Sequence, residues 1–321
     1  MSNLVLLPED MDAAGKQYLL ERGYEICFCE NCTSSITQAI GKCNAVIVRN
    51  ARITRDILVK APSLKVVARH GIGVDTIDLD CARELGIWVT NAPESNVNAV
   101  AEQVLGAIIA CSRDLFLCDR LVRTGNYQRR TSVIGMELAD KTLGVVGFGK
   151  IGHLVAQKAA LGLGMKIVVF DPYYQTKTEA YPVKVVTKLE ALLTVSDVVT
   201  LHMPLLPSTE KCIGPMQFHY MKPTAILINY ARGQLVNTEA LLEALKSKKI
   251  AGAALDVFDH EPIDREDPLC QMQQVLLSPH TAAFTRESLA RMALHTAITV
   301  DEVLTGKTPR WFVVRGKLQK Q

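Results

Sequence analysis

Short, largely apolar runs recur along the chain, and most are separated by stretches whose apolar positions return every three or four residues. The runs at 4–7, 24–28, 45–48, 65–68 and 87–89 read as strands, with amphipathic helices between most of them. Runs without polar alternation suit strands covered on both faces, so the pattern predicts a parallel sheet between helices. A second series follows at 143–146, 167–170, 183–186, 198–202, 225–229, 251–256 and 275–277, again interleaved with helices such as 239–248. Between the two series, 97–117 predicts one long apolar helix. Residues 119–130 then mix charges with Leu121, Val122 and Tyr127, as a surface helix or a subunit contact would. A last helix at 288–305 and the remainder are expected to pack back on the first unit. The fold class is therefore α/β, with two doubly wound parallel-sheet domains.

The second series opens on Gly147-Phe148-Gly149-Lys150-Ile151-Gly152, set between an apolar run and a helical pattern, and the next apolar run delivers Asp171 at its end. Strand, glycine turn, helix, strand and acid is the order of a dinucleotide site. Gly147 makes the turn, Gly149 admits a pyrophosphate to the backbone, and Gly152 lets helix and strand lie close. The pyrophosphate would rest on free N–H groups at the helix start, where the macrodipole favours an anion. Asp171 suits a ribose diol and repels a 2′-phosphate. With Pro172-Tyr173-Tyr174 after it and no arginine, NAD is expected rather than NADP.

Ligands of parallel sheets bind beyond the carboxyl ends of the strands, so the loops there are the candidate sites. In the first unit these loops carry Arg49 and Arg52, then Arg69-His70-Gly71-Ile72-Gly73. Two glycines allow N–H groups to converge on a carboxylate, and arginines beside them add fixed charge. In the second unit the rim carries His202, Pro204 and Thr209, then Tyr230-Ala231-Arg232, Asp256, Glu261 and His280. Histidine suits proton exchange near neutral pH, a carboxylate beside it favours imidazolium, and an arginine can fork onto a carboxylate. Spacing alone leaves His280 open to being an ordinary loop histidine and Glu261-Pro262 a turn.

A net charge of +3 gives no footing for a nucleic-acid surface, and a few arginines facing a small anion account for it. At 48% hydrophobic and 21% charged, the chain is ordinary globular material. No stretch is long and apolar enough to span a bilayer, and the first residues lack the features of a signal peptide, so a cytoplasmic protein is expected. Nine cysteines are scattered through the chain. Cys27, Cys29 and Cys32 could suit a metal or a redox pair, but no second pair follows at zinc-site spacing; buried free thiols and no metal are the expectation.

Several segments together resemble the D-isomer-specific 2-hydroxyacid dehydrogenase family, most nearly its phosphoglycerate dehydrogenase branch: RHGIGVDTIDLD (69–80), NAPESNVNAVAE (91–102), GVVGFGKIG (144–152), HMPLLPST (202–209), NYARGQLV (229–236), AGAALDVFDHEP (251–262) and SPHTAAFT (278–285). The resemblance implies a Rossmann NAD-binding domain at 99–285, inserted into a flavodoxin-like substrate domain formed by 1–98 and 286–321. It implies Arg232, Glu261 and His280 as catalytic residues and nicotinamide contacts near Asp256. Gly147, Gly149, Lys150, Ile151, Gly152, Asp171, His202, Pro204, Thr209, Tyr230 and Ala231 fall to the cofactor. Arg49, Arg69, His70, Gly71, Ile72 and Gly73 fall to the substrate.

The expected partners are a small anionic 2-hydroxy or 2-keto acid and a second copy of the chain, since 115–121 is apolar with no evident core of its own. A phosphorylated acid comes first, with hydroxypyruvate or glyoxylate reduction as the enzymatic alternative and an NAD(H)-sensing, corepressor-like binding protein as the non-enzymatic one. Two departures stand out. Asn237 replaces the usual aspartate after the Ala-Arg-Gly motif, which is expected to weaken a polar contact, and His70 stands where a small residue is common. No regulatory C-terminal domain, and hence no serine feedback, is expected.

Overall fold

In the computed structural model, which describes residues 3–175 and 178–317, the chain divides into two compact units. One is Met1–Asn96 with Phe284–Gln321, and the other is Val97–Ala283. At each passage the chain crosses two residues earlier than the boundaries drawn from sequence.

The first unit holds β1 (Leu4–Leu7), β2 (Glu25–Phe28), β3 (Ala45–Val48), β4 (Val66–Arg69) and β5 (Trp88–Thr90), all parallel, in the order β2-β1-β3-β4-β5. This is the flavodoxin-like order. Side chains alternate across the sheet, and both faces are buried. Leu6, Val46, Val48 and Val67 pack with Ile36 and Ile57 on one face. Val5, Leu7, Ile47 and Val66 pack with Ala293, Ala297 and Val300 on the other. The latter three lie on the helix Arg286–Leu304, which Thr285 caps by accepting from the Ser288 amide.

The sheet is not wholly parallel, contrary to the expectation. Phe312–Val314 adds a sixth strand antiparallel to β5, with the Phe312 ring edge-on to Trp88 at 5.4 Å. Three residues are too few to display a period, so pairing with the open edge of β5, rather than local pattern, makes this strand.

The second unit holds β6 (Thr142–Val146), β7 (Lys166–Phe170), β8 (Val183–Val185), β9 (Val198–Leu201), β10 (Ile226–Asn229), β11 (Gly252–Leu255) and β12 (Val275–Leu277). All pairs are parallel, in the order β8-β7-β6-β9-β10-β11-β12. The order reverses between β6 and β9, the topological switch point at which a Rossmann sheet binds its dinucleotide. Val104 and Ile108 of the helix Val97–Ser112 and Val155 and Ala159 of the helix Lys150–Leu163 share one core with this sheet. Leu192, Phe218, Leu241 and Leu245 fill the opposite face.

The long helix expected over 97–117 is two helices. Val97–Ser112 stops, Asp114 takes a left-handed conformation at φ 47°, and Leu115–Arg123 begins anew. Aspartate tolerates that conformation better than most residues, and the Ser112 carbonyl freed by the break accepts from the Met136 amide at 2.7 Å. The stretch 119–130 accordingly splits between this second helix and a 3₁₀ segment, Tyr127–Ser132. Leu121 is buried, but Leu115, Phe116 and Val122 are 47%, 59% and 64% exposed, which leaves an apolar face on this segment.

Candidate active site

The glycine turn has the geometry its spacing predicts. Gly147 sits at φ 89°, a conformation other residues avoid, and a Cβ there would lie 2.7 Å from the His202 backbone. At Gly152 a Cβ would strike the Gly147 carbonyl. A Cβ at Gly149 meets nothing within 4 Å, so the backbone there faces open space. Gly149 is the N-cap of the helix Lys150–Leu163, and the Ile151 and Gly152 amides lie in its first turn.

Asp171 ends β7 and accepts from the Phe148 amide at 2.7 Å and the Tyr173 amide at 2.8 Å. One oxygen thus secures the glycine turn and the other secures the Pro172 turn. Each keeps a lone pair for a ribose hydroxyl. These residues fit a dinucleotide: open space at the second glycine, free helix amides for an anion, and a fixed carboxylate that opposes a 2′-phosphate.

After β9, the His202 ring bonds Thr200 Oγ1 at 2.9 Å, and burial pushes the imidazole below its ordinary pKa, leaving it neutral. The Thr209 hydroxyl closes the next turn, donating to the Pro204 carbonyl and accepting from the Leu206 amide, each at 2.8 Å. Tyr230 is buried at the end of β10, its hydroxyl pushed up to about 12 by desolvation.

The three candidate chemical groups come together on the ends of β10, β11 and β12. His280 Nδ1 lies 2.7 Å from Glu261 Oε2, and Glu261 Oε1 accepts from the Phe258 amide at 3.1 Å. Burial pushes the Glu261 carboxyl up. The bonds from His280 and Phe258 and the charges of His280 and Arg232 outweigh it and hold the group below the usual carboxylate value. Glu261 is therefore ionised at neutral pH. Arg232 donates from Nη1 to the Ala231 carbonyl at 2.7 Å, and Asn229 Nδ2 holds the Arg232 carbonyl at 2.8 Å.

What fixes these groups was not legible in the sequence. Asp256, 1% exposed, accepts from Ser278 Oγ at 2.5 Å and from the Thr281 and Ala282 amides, both at 2.9 Å, while its carbonyl takes the His280 amide at 2.8 Å. The turn carrying His280 is thus wrapped around one buried carboxylate, with His280 itself at φ 52°. A second tie joins the Arg232 and Glu261 loops. Gln234 Nε2 donates to the Asp259 carbonyl at 2.9 Å, and the Thr238 hydroxyl donates to Asp259 Oδ2 at 2.6 Å. Gly233 permits their approach, since a Cβ there would overlap the Phe258 carbonyl. Asn237 corrects an expectation. Its side chain accepts from the Ala240 amide at 2.9 Å and caps the helix Thr238–Lys246, a place that asparagine fills as well as aspartate.

In the first unit the loop after β4 is more closed than an anion nest requires. The His70 and Gly71 amides already bond the Val48 and Arg69 carbonyls, at 2.8 and 2.9 Å. Ile72 and Gly73 keep amides with no acceptor among the described residues. Arg69 folds over the loop, donating from Nη1 to the His70 carbonyl at 2.5 Å, and Gly71, at φ 143°, leaves room for its guanidinium. His70 is 4% exposed with neither ring nitrogen bonded within the described residues. Burial, then the charges of Arg49 and Arg69, push it down to about 4. It therefore adds no charge to the loop at neutral pH. Glu9 holds the backbone amides of Arg49 and Asn50 at 2.8 and 2.7 Å, the Arg49 guanidinium lies 5.4 Å from the Phe284 ring, and Arg52 is exposed.

Residues 105–282 match the family model described as D-isomer specific 2-hydroxyacid dehydrogenase, NAD binding domain. The chain belongs to the D-isomer-specific 2-hydroxyacid dehydrogenase family. The second unit is accordingly its NAD-binding domain. Over 264 residues the chain is 40% identical to a glyoxylate reductase of Aeropyrum pernix, covering 80% of this chain and 78% of that one. It is 39% identical over 274 residues to a D-3-phosphoglycerate dehydrogenase of Methanocaldococcus jannaschii, covering 85% of this chain and 52% of that one. The chain thus spans about half the length of that curated relative. In structure it resembles the TT0316 protein from Thermus thermophilus, with a TM-score of 0.89 and 34% identity over 97% of this chain and all of the other.

Proposed function

We propose that this protein is an NAD-dependent dehydrogenase interconverting a D-2-hydroxy acid and its 2-keto acid. The observation that carries the reading is the 2.7 Å contact between His280 Nδ1 and the ionised Glu261, on the carboxyl ends of the sheet whose glycine turn fits the dinucleotide. Bound NADH would supply the hydride that reduces the carbonyl carbon. With Nδ1 engaged by Glu261, Nε2 of His280 is the nitrogen that gives a proton to the carbonyl oxygen in reduction and takes it back in oxidation. Arg232 offers its guanidinium to the substrate carboxylate.

Glu261→Gln tests the proton assignment. Glu261 Oε2 fixes the imidazole through Nδ1, so its replacement should lower kcat for ketoacid reduction and leave NADH binding near that of the parent. Steady-state kinetics with an NADH titration checks this, and an unchanged kcat would contradict it.

The preferred substrate is a phosphorylated acid, phosphohydroxypyruvate in the reducing direction, because Arg49 and Arg69 both bring their charge to the His70 loop. Arg69→Ala should then raise KM for phosphohydroxypyruvate by about 10- to 100-fold, the worth of one hydrogen bond to a charged group, and change KM for hydroxypyruvate far less. Equal losses on the two substrates would contradict the role. Glyoxylate or hydroxypyruvate reduction is the second reading, favoured by the A. pernix reductase, most of whose length this chain matches.

We further propose a homodimer, formed through the apolar face of the helix Leu115–Arg123 and the neighbouring Tyr127 and Ile134, which are 57% and 89% exposed. Phe116→Glu should shift the sedimentation coefficient to that of a monomer, and an unchanged value would place the contact elsewhere. A cytoplasmic setting fits nine cysteines that are all free. Among the described residues no helix is long and apolar enough to cross a membrane.

A further inference from the structure

The cysteines flagged in the sequence are arranged differently from their spacing. The thiol that meets Cys27 is not Cys29 or Cys32 but Cys43, with the two sulfurs 3.8 Å apart. Cys27 lies on β2, the edge strand of its sheet, and is partly exposed; Cys43 is fully buried, two residues before β3. Both pack in one apolar cluster with Leu6, Ile36, Ile40 and Val46. Among the described residues no group of three cysteine, histidine or acidic side chains converges as metal ligands would. Cys43 Sγ also lies 3.2 Å from the Ala39 carbonyl, and Cys27 Sγ lies 3.7 Å from the Val5 carbonyl. The two sulfurs, 3.8 Å apart, must close to about 2.05 Å for a bond.

We propose that Cys27 and Cys43 form a reversible disulfide when the protein meets a peroxide, with Cys27 as the thiol that reacts and Cys43 as the thiol that resolves. The Cys27 thiolate attacks one peroxide oxygen. The O–O bond breaks, and the other oxygen leaves as water after taking a proton, which makes Cys27 a sulfenic acid. The Cys43 sulfur then attacks the Cys27 sulfur, the S–S bond forms as the S–O bond breaks, and a second water leaves. Two thiols and one hydrogen peroxide become one disulfide and two waters, the peroxide being reduced by two electrons. A dithiol reductant reverses the step by exchange.

Burial pushes the Cys43 thiol up to about 12 and raises Cys27 as well, so little thiolate is present at neutral pH and the bond forms slowly. Cys32 behaves differently. It is exposed, and hydrogen bonds from Ser34 and Ser35 lower its pKa. It should take up peroxide first, and so acts as an internal comparison. The cross-link would close a ring around the helix Thr33–Ala39 and join the edge strand to the start of β3, whose far end leads to Arg49.

The test uses the reduced full chain, treated with graded hydrogen peroxide, alkylated, and digested without reduction for peptide mass analysis. The expected product is a peptide pair linking Cys27 to Cys43 within one chain, two hydrogens lighter than the sum of its reduced parts and lost on dithiothreitol treatment. Cys27→Ala should leave Cys43 alkylatable after denaturation at every peroxide dose. Cys32→Ser should still give the linked pair. Free Cys27 and Cys43 at doses and times far beyond those that fully oxidise Cys32 would overturn the proposal. So would a product linking Cys27 to Cys29, or Cys32 between two chains, in place of the Cys27–Cys43 pair. The wild-type result does not depend on any variant folding.

Discussion

Replacing His280 with alanine is expected to lower kcat for ketoacid reduction by about 10²- to 10⁴-fold, the usual worth of a positioned acid–base group, while NADH binding stays close to that of the parent. The two properties separate because they rest on different parts of one sheet. The imidazole stands on the turn after β12, whereas the glycine turn follows β6 and Asp171 ends β7. The turn should survive the substitution, since Asp256 holds it through Ser278 Oγ and the Thr281 and Ala282 amides rather than through the ring. His280 occupies a left-handed backbone position, but it already carries a Cβ there, so alanine adds little backbone strain. Steady-state kinetics with a fluorescence titration of NADH decides the matter. Near-parental turnover would remove His280 from proton transfer.

The second large effect is expected at Gly152. A Cβ there strikes the Gly147 carbonyl and comes within 3.2 Å of Val145 Cγ1, so alanine forces the helix Lys150–Leu163 away from β6. Backbone stands on the other side of the contact, and it cannot swing aside as a long side chain would. Overpacking of this kind costs about 1–3 kcal/mol. Moving the helix start also withdraws its amides from the anion, so NADH affinity should fall by about 10- to 100-fold, on the scale of one charge-assisted hydrogen bond.

Gly149→Ala separates the two consequences. With nothing within 4 Å of its Cβ, it should leave the thermal midpoint unchanged and weaken NADH alone if, as proposed, the pyrophosphate approaches through the open space beside it. Thermal unfolding and NADH titration of both variants check the pair. Equal NADH affinity in Gly149→Ala and the parent would mean that the cofactor does not approach there.

The parts of this architecture that follow from local pattern were legible in the sequence. Buried parallel strands announce themselves as unbroken apolar runs, which is why β1 and β3 fall where the pattern puts them. The glycine turn was readable because each glycine answers a backbone demand, and Gly147 and Gly152 meet those demands in the structure.

What escaped the sequence depends on residues far apart in the chain. The antiparallel strand Phe312–Val314 exists because β5 offers it an edge. The break at Asp114 rests on a carbonyl that Met136 satisfies from a later segment. Among site residues, Arg232, Glu261 and His280 were visible as polar groups at strand ends. Asp256 was visible too, but not as the centre of the His280 turn, since three bonds to residues beyond 277 define that role. Asp259, Gln234 and Thr238 carried no signal, because a clamp between two loops has no period and no motif. Cys27 and Cys43 lie 16 residues apart and meet only through the sheet, whereas the conspicuous triplet spacing drew attention to the wrong partners.

The most direct test of the central claim is NADH consumption by the purified protein with phosphohydroxypyruvate, hydroxypyruvate, glyoxylate, pyruvate and 2-oxoglutarate offered side by side, and NADH binding measured in parallel. The account predicts turnover with at least one 2-keto acid and the highest kcat/KM for phosphohydroxypyruvate. A preference for glyoxylate or hydroxypyruvate would keep the dehydrogenase and remove Arg69 from phosphate recognition. Tight NADH binding with no turnover across the panel would contradict the enzymatic reading and favour a nucleotide-sensing protein that keeps the fold.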